Sequence, residues 1–275
     1  MDITTTKKLN NGVEIPCFGL GVFRSAEGKD TVDAVRWAIE AGYTHIDTAA
    51  IYGNEKSVGE GIRASGIQRE KLFLTTKLWN ADMRAHRQYE AFEESLSRLG
   101  MEYVDLYLIH WPVETFVESW KVMEKIYKEG RAKAIGVSNF TIKHLETLLA
   151  EAEVVPVLNQ IELHPRLTQE PLCGFCAGKG IAVEAWSPLG GQGGDVMSEK
   201  IIQDLAKKHG KSPAQIILRW DLQRGIITIP KSIHKERIIE NSKLYDFELT
   251  KDEMALINSL NRDLRVGADP DSFDF

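Results

Sequence analysis

Short apolar runs recur along the chain, each followed by polar punctuation and then an amphipathic stretch. The runs are Cys17-Phe-Gly-Leu20, Gly42-Tyr-Thr-His-Ile46, Leu72-Phe-Leu-Thr-Thr76 and Val104-Asp-Leu-Tyr-Leu-Ile109. Four more follow: Ala134-Ile-Gly-Val137, Pro156-Val-Leu-Asn-Gln-Ile161, Ile181-Ala-Val-Glu-Ala185 and Gly225-Ile-Ile-Thr-Ile229. Their lengths predict buried strands. Between them, residues 30–41 place Val32, Val35 and Ile39 on one helical face, and residues 87–99 do the same with Phe92, Leu96 and Leu99. Residues 118–127 repeat the pattern with Trp120, Met123, Ile126 and Tyr127. Ser212 followed by Pro213 reads as a helix N-cap with proline at the first helical position. Leu9-Asn10-Asn11-Gly12-Val13 predicts a hairpin, placed to plug one end of the structure.

Strands alternating with helices predict a parallel sheet joined by right-handed crossovers. Eight such units in 275 residues suit a closed barrel, whose usual length is about 250 residues. No linker, composition shift or fixed-period repeat divides the chain. The expectation is therefore one α/β domain over residues 1–275: a (β/α)8 TIM barrel with an N-terminal β-hairpin and extra C-terminal helices. An open dinucleotide-binding sheet would carry G-x-G-x-x-G after its first strand, but Gly19-Leu-Gly21 is followed by Arg24 at the third glycine position. His209-Gly-Lys-Ser212 resembles the end of a phosphate-binding loop, yet Leu205 stands where the first glycine is required.

Composition narrows the function classes. Hydrophobic residues make up 43% and charged residues 27%, as in a soluble globular protein. The net charge of −6 argues against nucleic acid as main partner, while leaving room for one basic pocket around a phosphorylated ligand. The start has no apolar signal region and no run reaches a membrane span of ~20 residues. With only three cysteines, Cys17, Cys173 and Cys176, a reducing, cytoplasmic location is expected. Cys173-Gly-Phe-Cys176 has no second pair to complete a zinc site, and buried thiols in a helix are its blander reading.

Active sites of such barrels lie at the C-terminal strand ends. Reading those ends gives Asp47, Lys77, His110, Ser138-Asn139, Gln160, Trp186-Ser187 and Lys231-Ser232. Taken alone, Asp47 reads first as a helix cap, Tyr52 as a half-buried aromatic and His110 as a satisfied core histidine. Lys77 at a barrel mouth wants a carboxylate partner, because an unpaired buried ammonium is costly. The neighbouring strand offers Asp47.

The longer segments around these residues resemble the aldo-keto reductase family across essentially the whole chain. They include Gly42-Tyr-Thr-His-Ile-Asp-Thr-Ala-Ala-Ile-Tyr52-Gly-Asn-Glu55, Asp105-Leu-Tyr-Leu-Ile-His-Trp-Pro112 and Ile135-Gly-Val-Ser-Asn-Phe140. Asn159-Gln-Ile-Glu-Leu-His-Pro165, Ile229-Pro-Lys-Ser232 and Glu236-Arg-Ile-Ile-Glu-Asn241 follow in the family's order. The resemblance implies a catalytic tetrad of Asp47, Tyr52, Lys77 and His110. Carbonyl reduction by hydride leaves an alkoxide that must be protonated, so a positioned acid is needed. A nearby Lys77 is expected to lower the Tyr52 pKa from ~10 by ~1–3 units. His110 would hydrogen-bond the carbonyl oxygen.

The same resemblance implies NADPH lying across the mouth. Ser138, Asn139 and Gln160 would bind its carboxamide and Trp186 would stack on its nicotinamide. Gly21, Val22 and Phe23 would border it, and Ser187, Pro188, Leu189 and Gly190 would follow the pyrophosphate. Lys231, Ser232, Ile233 and Arg237 would surround the 2′-phosphate, with Glu240 and Asn241 on the adenine. Two cations at one spot favour a phosphate over a bare hydroxyl; a solvated helix start is the alternative. No metal ligand set is expected. Phe23, Trp79, His110 and Trp111 would line the substrate pocket, open and permissive because the surrounding loops, including Gly190-Gly-Gln-Gly-Gly194, are short and flexible. The function expected is reduction of small aldehydes and reactive ketones such as glyoxals and keto sugar acids by a monomer. The alternatives are prostaglandin F synthase-type reduction, a cofactor-binding regulatory barrel, and an aldolase-type barrel in which Lys77 forms a Schiff base.

Overall fold

The computed structural model describes residues 2–191 and 195–275. Of the Gly190-to-Gly194 segment, residues 192–194 therefore lie outside the described residues. Thr6–Lys8 (β1) and Glu14–Pro16 (β2) pair antiparallel around the expected turn, where Gly12 takes the left-handed φ of 89° that glycine allows. Leu9 and Ile15 turn inward and pack on Phe73, Leu106, Leu108, Ala134, Leu158 and Ile227. Asn10 Nδ2 donates to Pro156 O and Asn11 Nδ2 to Lys133 O, both at 3.1 Å. Lys7 Nζ donates to Gly225 O at 2.6 Å. The hairpin is thus sewn across the bottom of the barrel, as its sequence suggested.

Among the described residues eight strands follow, each parallel to the next: Leu20–Gly21 (β3), His45–Asp47 (β4), Phe73–Leu78 (β5), Leu106–Ile109 (β6), Ile135–Ser138 (β7), Leu158–Glu162 (β8), Ala182–Trp186 (β9) and Ile227–Thr228 (β10). Parallel bridges Phe18–Thr228 and Gly21–Lys231 join first strand to last. Gly19 N donates to Thr228 O at 3.1 Å and Gly21 N to Pro230 O at 3.2 Å, closing the ring. A parallel sheet with helices on its outer face buries every strand on both sides. That explains why these segments read as near-continuous apolar runs.

The helices are Lys29–Glu40 (α1), Glu55–Ser65 (α2), Asn80–Arg84 (α3), Gln88–Leu99 (α4), Phe116–Lys128 (α5) and Ile142–Glu151 (α6). Glu170–Gly178 (α7), Lys200–His209 (α8), Pro213–Gln223 (α9), Lys235–Asn241 (α10) and Lys251–Asn258 (α11) complete them. Two of them lie between β9 and β10, and α11 is added after α10. The Ser212 cap forms a reciprocal pair: Ser212 Oγ accepts from Gln215 N at 3.4 Å and Gln215 Oε1 accepts from Ser212 N at 2.9 Å.

Most strands begin and end one to three residues later than the apolar runs. Asp47, Lys77, Ser138, Glu162 and Trp186 are strand residues themselves. Lys77 pairs with Asp47 and Ser138 with Gln160 on adjacent strands, while Asp47 accepts from Gln160 across the barrel. Cys173 and Cys176 sit on α7 as free thiols. Burial pushes them up to about 11 and about 12, so both stay protonated and unreactive at neutral pH. Among the described residues, no helix is long and apolar enough to cross a membrane.

Candidate active site

The barrel end opposite the hairpin gathers Asp47 from β4, Lys77 from β5 and His110 from just beyond β6. Lys77 is fully buried, and its Nζ donates to Asp47 Oδ1 at 2.6 Å and to Thr48 O at 2.9 Å. Asp47 therefore does not cap a helix, the role it suggests when read alone. Burial pulls the Lys77 pKa down, but Asp47 and Tyr52 outweigh it and leave the group above its usual value, a fixed ammonium. Burial pushes Asp47 up, opposed by the Lys77 charge and by hydrogen bonds from Lys77 and Gln160.

Tyr52 ends the 3-10 turn Ala50–Tyr52, which closes on Gly53 at a left-handed φ of 66°. Buried Asn54 anchors this loop: it accepts from Thr48 Oγ1 at 2.8 Å and donates to Val22 O and Ser25 O, each at 3.0 Å. The loop so held sets the Tyr52 ring 5.1 Å from Lys77 Nζ and 5.6 Å from the His110 ring. The expected lowering of the Tyr52 pKa is not met. Desolvation raises it by more than the Lys77 charge lowers it, and the net shift is upward. His110 is driven well below its ordinary value by burial and then by Lys77, so its imidazole is neutral, and Nδ1 lacks a partner among the described residues.

Beside the tetrad, Asn139 adopts a left-handed φ of 64°. Its Nδ2 donates to His110 O at 2.9 Å and Ser138 Oγ at 3.1 Å, and its Oδ1 accepts from Trp186 Nε1 at 2.8 Å. Ser138 Oγ donates to Gln160 O at 2.9 Å. Gln160 Nε2 donates to Asp47 Oδ2 at 2.8 Å and to Glu184 Oε2 at 2.7 Å. Both Gln160 amide hydrogens are thereby committed, so its carboxamide can offer a ligand only an acceptor. Ser138, Asn139, Gln160 and Trp186 are thus brought together as expected, already linked to the tetrad.

After Trp186 the chain turns through Ser187 at φ 50° and Gly190 at φ 80°, with Pro188 and Leu189 between them. Across the mouth, Gly21 lies so close to Ile229 that a Cβ there would be 2.9 Å from Ile229 O. Val22 is buried, while Phe23 is 51% exposed and lies 5.0 Å from the Tyr52 ring. Lys231 is bridged to Gly21 and exposed; burial lowers its pKa, and the charge of Arg24 lowers it further. Arg24 is a cation of this edge that the sequence reading passed over. Ser232 and Asn241 are buried, Ile233 half-buried, and Arg237 and Glu240 exposed on α10.

The pocket aromatics meet an unexpected partner. Trp79 and Trp111 flank the mouth, and the C-terminal tail folds onto them. Phe275 stacks on Trp79 at 5.9 Å and meets Trp111 edge-on at 5.1 Å; Phe273 lies 5.0 Å from Trp111. Buried Glu162 clasps the tail: Oε1 accepts from Val266 N at 2.7 Å and Oε2 from Gly267 N at 3.1 Å. Gly267 is required there, since a Cβ would stand 2.4 Å from Trp186 Cη2. The pocket is therefore less open than the short loops suggested, because the tail supplies the cover.

A sequence profile described as "Aldo/keto reductase family" matches residues 17–262. The chain is 53% identical to the glyoxal reductase of Bacillus subtilis (strain 168), covering 98% of both proteins. It is 52% identical to the 9,11-endoperoxide prostaglandin H2 reductase of Trypanosoma cruzi (strain CL Brener), covering 96% of this chain and 94% of that protein. The crystal structure of the Bombyx mori aldo-keto reductase in complex with NADP superposes with a TM-score of 0.91 at 41% identity, over 98% of this chain and 97% of that one.

Proposed function

The chain belongs to the aldo-keto reductase family, and on that premise we propose that it reduces small reactive carbonyl compounds with NADPH, using Asp47, Tyr52, Lys77 and His110. The observation that carries this reading is the buried Lys77–Asp47 pair at 2.6 Å beneath Tyr52 and a neutral His110. A bound NADPH supplies the hydride. His110, uncharged, donates a hydrogen bond to the substrate oxygen and fixes which face of the carbonyl is presented. Tyr52 gives its phenolic proton to that oxygen as an alkoxide develops. Its raised pKa keeps the proton in place until an alkoxide, a stronger base, asks for it. The Lys77 ammonium then stabilises the tyrosinate, and Asp47 keeps the ammonium charged and aimed.

The donor set fits the cofactor. Trp186 offers a half-buried aromatic plane braced by Asn139 and Gly267. Ser187 through Gly190 turn with left-handed residues at both ends. Arg24, Lys231 and Arg237 supply positive charge suited to a phosphate monoester. The aldolase reading loses support, because a Schiff-base lysine must be a free amine and Lys77 is an ammonium that donates two hydrogen bonds. The regulatory-barrel reading predicts NADPH binding without turnover. The proposal extends to a monomer, which sedimentation of the purified protein tests, and to a cytoplasmic location, which fractionation of cells tests.

The deciding experiment follows NADPH absorbance with purified protein and a panel of methylglyoxal, keto sugar acids, nitrobenzaldehydes, a ring-ketone steroid and a prostaglandin endoperoxide. Methylglyoxal and nitrobenzaldehydes are expected to be turned over and the steroid to be poor. The endoperoxide belongs in the panel because the trypanosomal relative, at 52% identity, is nearly as similar as the glyoxal reductase at 53%. Binding of NADPH without oxidation by any carbonyl would leave the regulatory reading standing instead.

A further inference from the structure

We propose that Glu184 is a positioning residue of this site that works in its neutral, protonated form, holding Asp47 in place through the Gln160 amide. Glu184 lies in the middle of β9 and is completely buried. Its Oε2 accepts one hydrogen of Gln160 Nε2 at 2.7 Å, while Asp47 Oδ2 accepts the other at 2.8 Å. One amide nitrogen therefore bridges two carboxyl groups, only one of which touches the lysine. This rests on the reading of Asp47, Lys77 and Tyr52 given above.

The charge balance decides the protonation state. From β4, Glu184 faces Asp47 and His45, with His45 Nε2 3.7 Å from Glu184 Oε1. From β5 it faces the Lys77 ammonium, from β8 the neutral Gln160 amide, and Tyr52 also senses its charge. On β10 its register partner is apolar Ile227. Lys77 is already neutralised by Asp47. His45 offers no second cation, since burial and the Lys77 charge push it down to about 3; its Nε2 lies 3.2 Å from Thr75 Oγ1. An ionised Glu184 would be a second buried anion with no counter-charge, which is the costly arrangement. Burial and the Asp47 charge accordingly push its pKa up to about 8. Among the described residues Oε1 has no hydrogen-bond partner and lies 3.7 Å from the neutral imidazole, so we place the proton on that oxygen.

The consequence for turnover has a definite sign. Below about 8 the bridge is neutral and Asp47 is the single anion serving Lys77. Above it, a second negative charge appears beside Asp47, raises the Tyr52 pKa further and weakens the acid. Wild-type kcat for carbonyl reduction therefore falls as pH rises through about 8.

Two measurements test the proposal. Infrared difference spectra of wild type against Glu184→Gln at pH 7 must show the carbonyl band of a buried protonated carboxyl group that the variant lacks. This readout needs no turnover, so it stands apart from the proposed reductase activity; absence of the band overturns the protonated form. In steady-state kinetics, Glu184→Gln is expected to keep kcat at pH 7 within about threefold of wild type and to lose the fall near pH 8. Glu184→Leu, which removes the acceptor, is expected to lower kcat ~10–100-fold with KM little changed. A Gln variant as impaired as the Leu variant, or one with the wild-type pH profile, overturns the positioning role.

Discussion

Phe275, the last residue of the chain, lies parallel to Trp79, with ring planes 6° and centroids 5.9 Å apart. Asn80 Nδ2 donates to Phe275 O at 3.1 Å and fixes the chain end beside the tryptophan. An aromatic pair contributes ~0.5–1.5 kcal/mol beyond its buried area. Phe275→Ala is therefore expected to raise KM for nitrobenzaldehydes ~2–10-fold and to leave KM for methylglyoxal, too small to reach the tail, nearly unchanged. Steady-state kinetics with both substrates check this. Equal changes for the two would remove the tail from the pocket wall.

Tyr52→Phe should lower kcat by orders of magnitude while NADPH affinity stays close to wild type. The lost hydroxyl acts only on the reacting oxygen, so the transition state alone is affected. Stopped-flow turnover and a cofactor titration by protein fluorescence give the two numbers. Near-normal turnover would assign the proton to another group.

Arg237→Ala is expected to weaken NADPH about tenfold, the lower end of what a charge-assisted pair contributes, because the side chain is exposed on α10. NADH binding should barely change, and the NADPH effect should shrink with added salt. Fluorescence titration of both cofactors at two salt concentrations decides it. Equal weakening of both would detach Arg237 from the 2′-phosphate.

Glu184 also sets a slope of stability against pH. Its folded pKa of about 8 lies above the ordinary glutamate value of 4.5, so the folded state binds the proton more tightly. The stability gained is complete below 4.5 and is lost progressively as pH rises through about 8. For this buried group the loss between pH 5 and pH 8 is ~3 kcal/mol. Urea unfolding at the two pH values should show a smaller difference for Glu184→Gln than for wild type. Identical slopes in the two proteins would mean Glu184 titrates normally.

The barrel was legible in the sequence because both strand faces are buried and every strand leaves an apolar run. The strand ends were not, since Lys77 and Ser138 look like loop residues until their partners on the adjacent strands are known. Asp47 and Lys77 could be paired from neighbouring strands and opposite charge. Glu184 was visible as a lone acid inside Ile181-Ala-Val-Glu-Ala185, but its nearness to Asp47 depends on β4, β8 and β9 curving round one axis. The tail was hidden for a different reason. Asp269-Pro-Asp-Ser-Phe-Asp-Phe275 reads as a polar terminus, and nothing local says that its aromatics travel back to Trp79 and Trp111. The direction of the Tyr52 shift was missed because it compares a charge, visible in the sequence, with desolvation, which exists only once the mouth is built.

The hairpin across the barrel floor has a consequence for exchange with bulk water. Leu9 and Ile15 seal that end, and the surrounding helices seal the sides. His45, Glu184, Gln160, Asp47 and Lys77 are each at most 2% exposed. Their protons are therefore expected to exchange slowly with bulk water, and more slowly still when a ligand covers the mouth.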